Sequence, residues 1–467
     1  MADWILKHRY QCTILFLSYF AAHIVMRISR GGCLSYDETE QVFLSQWIQW
    51  GYNSQPPLYT WIQSILFSVF GYHVFALSLF KNSLIASTYI VVYGLVFRTT
   101  QDPRHAIAGS LGMLMIPQIA WESHRDLSHT VLVTFATALL VYCVVSTMKQ
   151  RATRWYVAIG VVSALGMMSK YNFAIVILAI VASSMTIPGY RHCLLDKRLL
   201  ITILVAVTLV TPHMVWVLNH PQLASAKTIG TLTAEQTNSY WHNLIVGSKA
   251  LMGSIFSCVV LAFAVFGIAY RDRFLQEPNC DSAAVITDDD VSATVQMIER
   301  FFLAVLAMLL VVVLSGNGLE FKNRWIQPFV CLLPAYLVLR WRVVDRSRPH
   351  FDEGLSLNRI TLMGTIAMLA VMTTVVVRQT RTAPRSSSLS NRAMSELIFL
   401  NDHVVLAKDT RVAGELKLIC PERLVLAREH EHLGREHWSK HDESELSNNP
   451  TPAVRMSRRN DGPSVGR

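Results

Sequence analysis

The feature that most constrains this chain is the recurrence of charge-poor apolar runs, each to be set against the about 20 residues that an α-helix needs to cross a bilayer. In the 467-residue sequence they fall at 11–28, 74–97, 105–121, 127–147, 155–169, 171–190, 199–219, 246–270, 301–318, 324–340 and 360–377. The runs at 127–147, 199–219 and 301–318 contain no Asp, Glu, Lys or Arg. Those at 155–169 and 324–340 are short and require a thin or protein-buried setting. Charged residues make up 16% of the chain, against roughly 25% in soluble domains. The pattern excludes a soluble globular fold and predicts an all-α polytopic membrane protein of about eleven transmembrane helices.

Orientation follows from Lys and Arg, which cytoplasmic loops retain. They collect in alternate loops: Lys7 and Arg9, Arg98 and Arg104, Lys149 to Arg154, Arg191 to Arg198, Arg271 and Arg273, and Arg340 to Arg348. The N-terminus is therefore read as cytoplasmic, and an odd number of crossings sends the tail after Arg378 to the periplasm. This distribution already accounts for the net charge of +10, so nucleic acid is not called for. The first run lacks a small-residue cleavage site and reads as a retained anchor. Of eight cysteines, only Cys33 and Cys420 would face an oxidising compartment, and whether they pair stays open.

The sequence divides into a membrane region over 1–377 without an internal repeat, a first outer loop over 29–73 with interfacial helices, a small mixed α/β periplasmic segment over 378–427, and a polar tail over 428–467. The tail has too few branched apolar residues to fold alone. A second long interruption, the cytoplasmic stretch from Arg271 to Arg300, reads as a solvated loop.

The first outer loop holds the stretch "SYDETEQVFLSQWIQWGYNSQPPLYTW", residues 35–61. Ser35 followed by Glu38 fits the capping box and starts a helix near Tyr36. Phe43, Trp47 and Trp50 recur at helical spacing, which predicts an apolar stripe lying on the membrane surface until Gly51. Pro56 and Pro57 form a hinge to a second helix. A carboxylate in a first helical turn needs no chemistry, because it stabilises the helix dipole. One box needs one acid, however, and Glu38 supplies it, which leaves Asp37 without a structural role.

Further words accompany this stretch: "SHRDLSHTVL" before the fourth run, "GMMSKYNFAIV" between the fifth and sixth, "TPHMVW" in the seventh, "NRWIQPF" opening the tenth, and "VAGELKLICPERLVL" in the tail. Together with "YDETEQ" and "GYNSQPPLYTWI", they resemble the C-type (GT-C) membrane glycosyltransferases. Within these the chain looks like the group containing protein O-mannosyltransferases, lipid A aminoarabinose transferases and rhizobial lipopolysaccharide galacturonosyltransferases. The resemblance implies an outward cavity where a polyprenyl-phosphate sugar donor meets an acceptor. It implies inverting transfer of a hexosyl or pentosyl group, with Asp37 as catalytic base and Glu38 positioning it. An envelope glycolipid, lipid A or the lipopolysaccharide core, is the expected acceptor, and a protein hydroxyl is the alternative.

The departing phosphate needs cations, and an ionisable residue at a span end is a functional suspect by default. Lys170 is the leading candidate for phosphate binding and Arg324 comes next, each with snorkelling to the interface as its competing reading. Lys322 follows, with the same competing reading. The resemblance assigns substrate positioning to Gln55 and Tyr59 and to His124, Arg125 and Asp126, although a short solvated turn is the plain reading of 122–126. A divalent metal ion stays open, with Asp37 and Asp126 its ligands if any, because no DxD word is present. His213 reads as a hydrogen-bonded helix residue. A flippase or transporter of lipid-linked sugars is the alternative of another class; it predicts broken midplane helices and paired repeats, whereas here the polar residues concentrate at the outer ends.

Overall fold

The computed structural model describes residues 9–29, 34–233, 239–274, 289–345, 353–381, 398–399, 404–430 and 432–433. In chain order the helices are α1 (Arg9–Ser29), α2 (Tyr36–Leu44), α3 (Leu58–Phe70), α4 (Val74–Thr100), α5 (Pro103–Leu111), α6 (Ser128–Lys149), α7 (Thr153–Met167), α8 (Phe173–Met185), α9 (Pro188–Leu194), α10 (Leu199–Asn219) and α11 (Pro221–Leu232). They continue with α12 (Tyr240–Ala269), α13 (Asp289–Leu314), α14 (Asn323–Val330), α15 (Leu333–Asp345), α16 (Glu353–Arg381) and α17 (Thr410–Ile419). A helix lies over each of the eleven apolar runs. Among the described residues six helices are long and apolar enough to cross a membrane, and seven if α8 and α9, bent by 119°, count as one span. Pro188 at the start of α9 explains the bend, since it cannot continue the preceding helix.

The run at 105–121 is not one helix. After α5 the backbone passes through a 3-10 turn at Gly112–Met115 and a π turn at Gln118–Glu122. Such irregular backbone is tolerated at membrane depth only inside protein, and Met113, Leu114 and Ile116 are indeed buried.

Two environments separate the long helices. In the apolar window of α6, 78% of residues are buried, against 11% in α10, so α6 is a central helix and α10 a peripheral one. On α10 and α12, Leu200, Leu204, Leu218, Met252 and Phe256 stand open; an apolar band of this size is covered by lipid in a membrane protein. Hydroxyls inside α6 are satisfied locally, as when Thr134 and Thr137 donate to the carbonyls four residues back at 2.7 and 2.9 Å.

The C-terminal unit is a three-stranded sheet with β1 (Ile398–Phe399) antiparallel to β2 (Val404–Ala407), and β2 parallel to β3 (Leu424–Ala427) across α17. It packs on α2. Phe43, Leu44 and Tyr52 share one core with Val405, Leu416 and Val425, and Trp47 packs against it. Gln46 pairs with both backbone groups of Val425, at 2.9 and 3.0 Å. The expected membrane-surface stripe is therefore corrected: α2 ends at Leu44, and Phe43 and Trp47 face the C-terminal unit, whose apolar surface competes successfully with lipid. Only Trp50 of the three stands exposed, edge-on to Trp61. Because the first loop and the C-terminal unit touch, they lie on one side of the membrane. The Cys33–Cys420 pairing, the 275–288 part of the cytoplasmic loop, the 382–397 linker and nearly all of the tail expected over 428–467 fall outside the described residues.

Candidate active site

The acid pair sits in the first turn of α2. Ser35 accepts from the Glu38 N–H at 3.4 Å, and Glu38 accepts from the Ser35 N–H at 2.9 Å, so the capping box is complete. Neighbours on a helix point about 100° apart, and the two carboxylates meet different partners. Glu38 is ion-paired to Arg27 at 2.8 Å and to Lys81 at 3.5 Å. Burial alone would raise its pKa, but the charges of Lys81 and Arg27, with the Arg27 and Ser35 hydrogen bonds, hold it down at about 2. Asp37 instead accepts the backbone N–H of Ser128 at 3.1 Å. This corrects the expectation that Asp37 is free of any structural role, because it caps the start of α6 from another element.

That contact depends on an unusual corner. Leu127 has φ of +76°, a left-handed conformation that costs a branched residue energy; its burial in the core pins it there. The turn aims the Ser128 N–H at Asp37 and tucks Asp126 beside it. Asp126 Oδ1 is buried with no hydrogen-bond partner. Burial first, and then the charge of Asp37, raise the Asp126 pKa, with Lys81 opposing. Asp126 is thereby more easily protonated than an ordinary carboxylate. The fit to a metal is incomplete: among the described residues no three His, Cys, Asp or Glu side chains gather as a ligand set around this pair.

Lys170 lies in the loop between α7 and α8, and its Nζ donates to Thr130 Oγ1 at 3.0 Å on the first turn of α6. Burial, then the neighbouring Arg324 charge, pull its pKa down to about 7, and Asp37 opposes them. Asp37, Lys170 and Arg324 thus share one electrostatic neighbourhood although they come from three separated segments. The Leu58 N–H, the first one free after the two prolines, bonds the Met168 carbonyl at 3.1 Å, and Asn172 bonds the Trp325 carbonyl at 3.4 Å. These bonds tie the Lys170 loop to α3 and to α14. Lys322 differs: at the start of α14 it pairs with Glu320 at 3.4 Å and is about a third exposed.

The remaining expected residues divide. Tyr59 is buried with its ring 5.5 Å from that of His129. His129 bonds Gln41 at 3.1 Å, and Gln41 accepts from Thr60 at 2.8 Å, so this network locks α2, α3 and α6. Gln55 lies in the turn before α3, its N–H on Asn53 Oδ1 at 2.9 Å, and Asn53 reaches back to Glu40. His124 and Arg125 do not join Asp37. His124 stacks on His23 at 3.9 Å, and burial, with His23 and Lys81 nearby, keeps its pKa well below the usual histidine range. Arg125 pairs with Glu122 at 3.1 Å. Both line a cavity with Glu38, Arg27 and Lys81. His213 bonds Tyr171 at 3.2 Å and the Trp50 carbonyl at 2.6 Å, a structural role.

Arg27, Lys81 and Thr130 are site residues that the sequence reading missed. For Lys81 a signal existed: it is the one Lys, Arg, Asp or Glu inside the apolar run at 74–97, and a charge there is a functional suspect. Arg27, at the end of the run at 11–28, carried the same signal, whereas Thr130 gave none, since Thr in a span is common.

Residues 54–216 match the family model of dolichyl-phosphate-mannose-protein mannosyltransferases. The chain is 30% identical over 414 residues to the lipopolysaccharide core galacturonosyltransferase RgtB of Rhizobium johnstonii, spanning 87% of this chain and 81% of that one. It is 28% identical over 418 residues to RgtA of the same organism, spanning 88% and 80%. The crystal structure of ArnT from Cupriavidus metallidurans bound to undecaprenyl phosphate superposes with a TM-score of 0.60 at 12% identity, covering 94% of this chain and 89% of ArnT. The helical bundle is thus that of a membrane glycosyltransferase. The chain belongs to the GT-C family, in the group of protein O-mannosyltransferases, aminoarabinose transferases and lipopolysaccharide core galacturonosyltransferases.

Proposed function

We propose that this enzyme is an inverting glycosyltransferase that moves a uronic acid, galacturonic acid as in its named relatives, from polyprenyl phosphate to lipid A or the lipopolysaccharide core. The observation that carries the reading is that Asp37 and Lys170 are both held on the first turn of α6, at the Ser128 N–H and at Thr130 Oγ1, with the Arg324 charge near enough to act on Lys170. Asp37 takes the proton of the acceptor hydroxyl as its oxygen attacks the anomeric carbon from the face opposite the phosphate. The bond to phosphate breaks as the new glycosidic bond forms, and polyprenyl phosphate leaves with the bonding electron pair. Lys170 and Arg324 neutralise that phosphate. Glu38, paired to Arg27 and Lys81, holds the helix turn in place, and Asp126 orients the acceptor beside the base. No metal is assigned a step.

The reading includes a topology. The N-terminus is cytoplasmic, eleven segments cross the inner membrane, and the site, the 29–73 loop and the 378–427 segment are periplasmic. The short helix α14 is buried by its neighbours over Ile326–Val330, which eases its length requirement. The partners are the polyprenyl-phosphate sugar, the glycolipid and the bilayer.

The test is transfer by purified full-length protein from radiolabelled polyprenyl-phosphate galacturonic acid to lipopolysaccharide core. Asp37→Asn keeps the shape and removes the base, and it is expected to lower turnover by at least about 100-fold in a protein that still melts like wild type. Near-normal turnover by this variant sinks Asp37 as the base. Movement of the labelled lipid between leaflets without transfer assigns a flippase instead.

A further inference from the structure

The side of the acid pair away from Asp37 opens into a second cavity that the reaction above does not use. It is lined by His23 and Arg27 of α1, Glu38 of α2, Lys81 and Asn82 of α4 and Arg125. Its volume is about 70 Å³, room for one functional group of a ligand or a few waters and not for a whole sugar. Arg27 and Lys81 face Glu38 on this wall, and Arg125 is paired with Glu122 at its edge. Lys81 Nζ is buried, makes no hydrogen bond, and stands 3.5 Å from Glu38 Oε1 in a long ion pair, while Arg27 and the Ser35 N–H hold Glu38 Oε2. His23 Nε2 is likewise buried without a partner. Lys81 is 3% exposed and His23 4%. Buried polar atoms without a hydrogen-bond partner are rare in folded proteins and costly to keep, so Lys81 Nζ and His23 Nε2 on the wall of one cavity mark the place of an absent acceptor group.

We propose that this cavity is a carboxylate-recognition subsite, in which Lys81 and His23, backed by Arg27 and Arg125, hold the carboxylate of a uronic acid while Lys170 and Arg324 hold the donor phosphate. The proposal rests on the glycosyltransferase reading above. The chemistry suits the geometry: an ammonium and an imidazole N–H fill both oxygens of a carboxylate, whereas a neutral hydroxymethyl group would leave the buried Lys81 ammonium with its long contact to Glu38 alone. Discrimination therefore comes from the penalty on the neutral sugar as much as from attraction to the acid one. The carboxylate belongs either to the sugar being transferred or to an acidic sugar of the acceptor, and these two sources are separable.

The experiment compares kcat/KM of the purified full chain for polyprenyl-phosphate galacturonic acid and polyprenyl-phosphate galactose. It then repeats the comparison with an acceptor core whose carboxylates are native or reduced to alcohols. Wild type is expected to favour one acid member of the two pairs. Lys81→Gln should cut that preference about 10- to 100-fold, the loss of one charge-assisted hydrogen bond, while Lys81→Arg restores most of it. Arg125→Gln, whose side chain is half exposed and so leaves the fold intact, should cut it less in the same direction. A collapse confined to the donor pair places the carboxylate on the transferred sugar, and one confined to the acceptor pair places it on the acceptor. An equal loss for acid and neutral partners in both pairs overturns the subsite. Where no donor is turned over at all, the transferase reading has failed and a binding arm decides: D-galacturonate, and not D-galactose, should raise the Tm of wild type and leave that of Lys81→Gln unmoved. Equal shifts by the two sugars, or none, overturn the subsite in that case.

Discussion

Lys170 shows how one residue is tuned by where its loop is placed. A lysine on a water-exposed loop titrates near 10.4, whereas burial and the Arg324 charge bring this one to about 7. The consequence has a definite sign. The protonated form binds phosphate, so above the free-enzyme pKa each binding event must also take up a proton. The donor kcat/KM, which reports free-enzyme groups, is therefore expected to fall as pH rises through about 7. In Lys170→Met the rate should be low and that alkaline limb absent; a limb that survives the substitution assigns it to another group. The same scale separates the two adjacent acids. Glu38 is saturated by two cations and held ionised, so its contribution is positional, while Asp37 holds a single N–H at 3.1 Å and keeps an oxygen for chemistry.

At the scale of elements, the nine-residue helix α2 is too short to be stable alone, and its register comes from what clamps it. The network of Gln41, His129 and Thr60 holds one side, and the C-terminal unit holds the other through Gln46 and α17. The approach of α17 is close enough to demand glycine: a Cβ on Gly414 would meet the Thr39 carbonyl oxygen at 2.1 Å and its carbon at 2.6 Å, backbone atoms that have no freedom to move aside. In an ordinary helix, Gly→Ala would stabilise by about 1 kcal/mol. Here Gly414→Ala is expected to reverse that sign, costing about 1–3 kcal/mol as overpacked interfaces do, and to lower transfer because the turn bearing Asp37 loosens. A melt and a transfer assay check it together. A higher Tm with full activity means that the unit does not clamp α2.

For the whole molecule the decisive relation is that the first loop and the C-terminal unit share a side, which requires an even number of crossings between them. In a chain freed of its native cysteines, Ile48→Cys on the first loop and Glu422→Cys on the C-terminal unit, both exposed positions, should both react with an impermeant thiol reagent once the outer membrane is opened. Arg151→Cys should react only after lysis. Reaction at Ile48 without reaction at Glu422 is incompatible with the Gln46–Val425 pairing. Reaction at Arg151 alone inverts the orientation.

Composition and the recurrent apolar runs by themselves determined that this chain is a helical membrane protein, because bilayer thickness sets helix length whatever surrounds it. The capping box at Ser35 and Glu38 was equally legible, being a contact across three residues. The fates of the two acids were not. Asp37 meets Ser128 across 91 positions, Glu38 meets Arg27 and Lys81 on two other helices, and Lys170 gains its low pKa from burial and from Arg324. The stripe of Phe43 and Trp47 read correctly as apolar and wrongly as membrane-facing, since amphipathicity says that a face is covered and not by what. Charge, burial and covering partner are properties of neighbours, and only the tertiary structure brings those neighbours together.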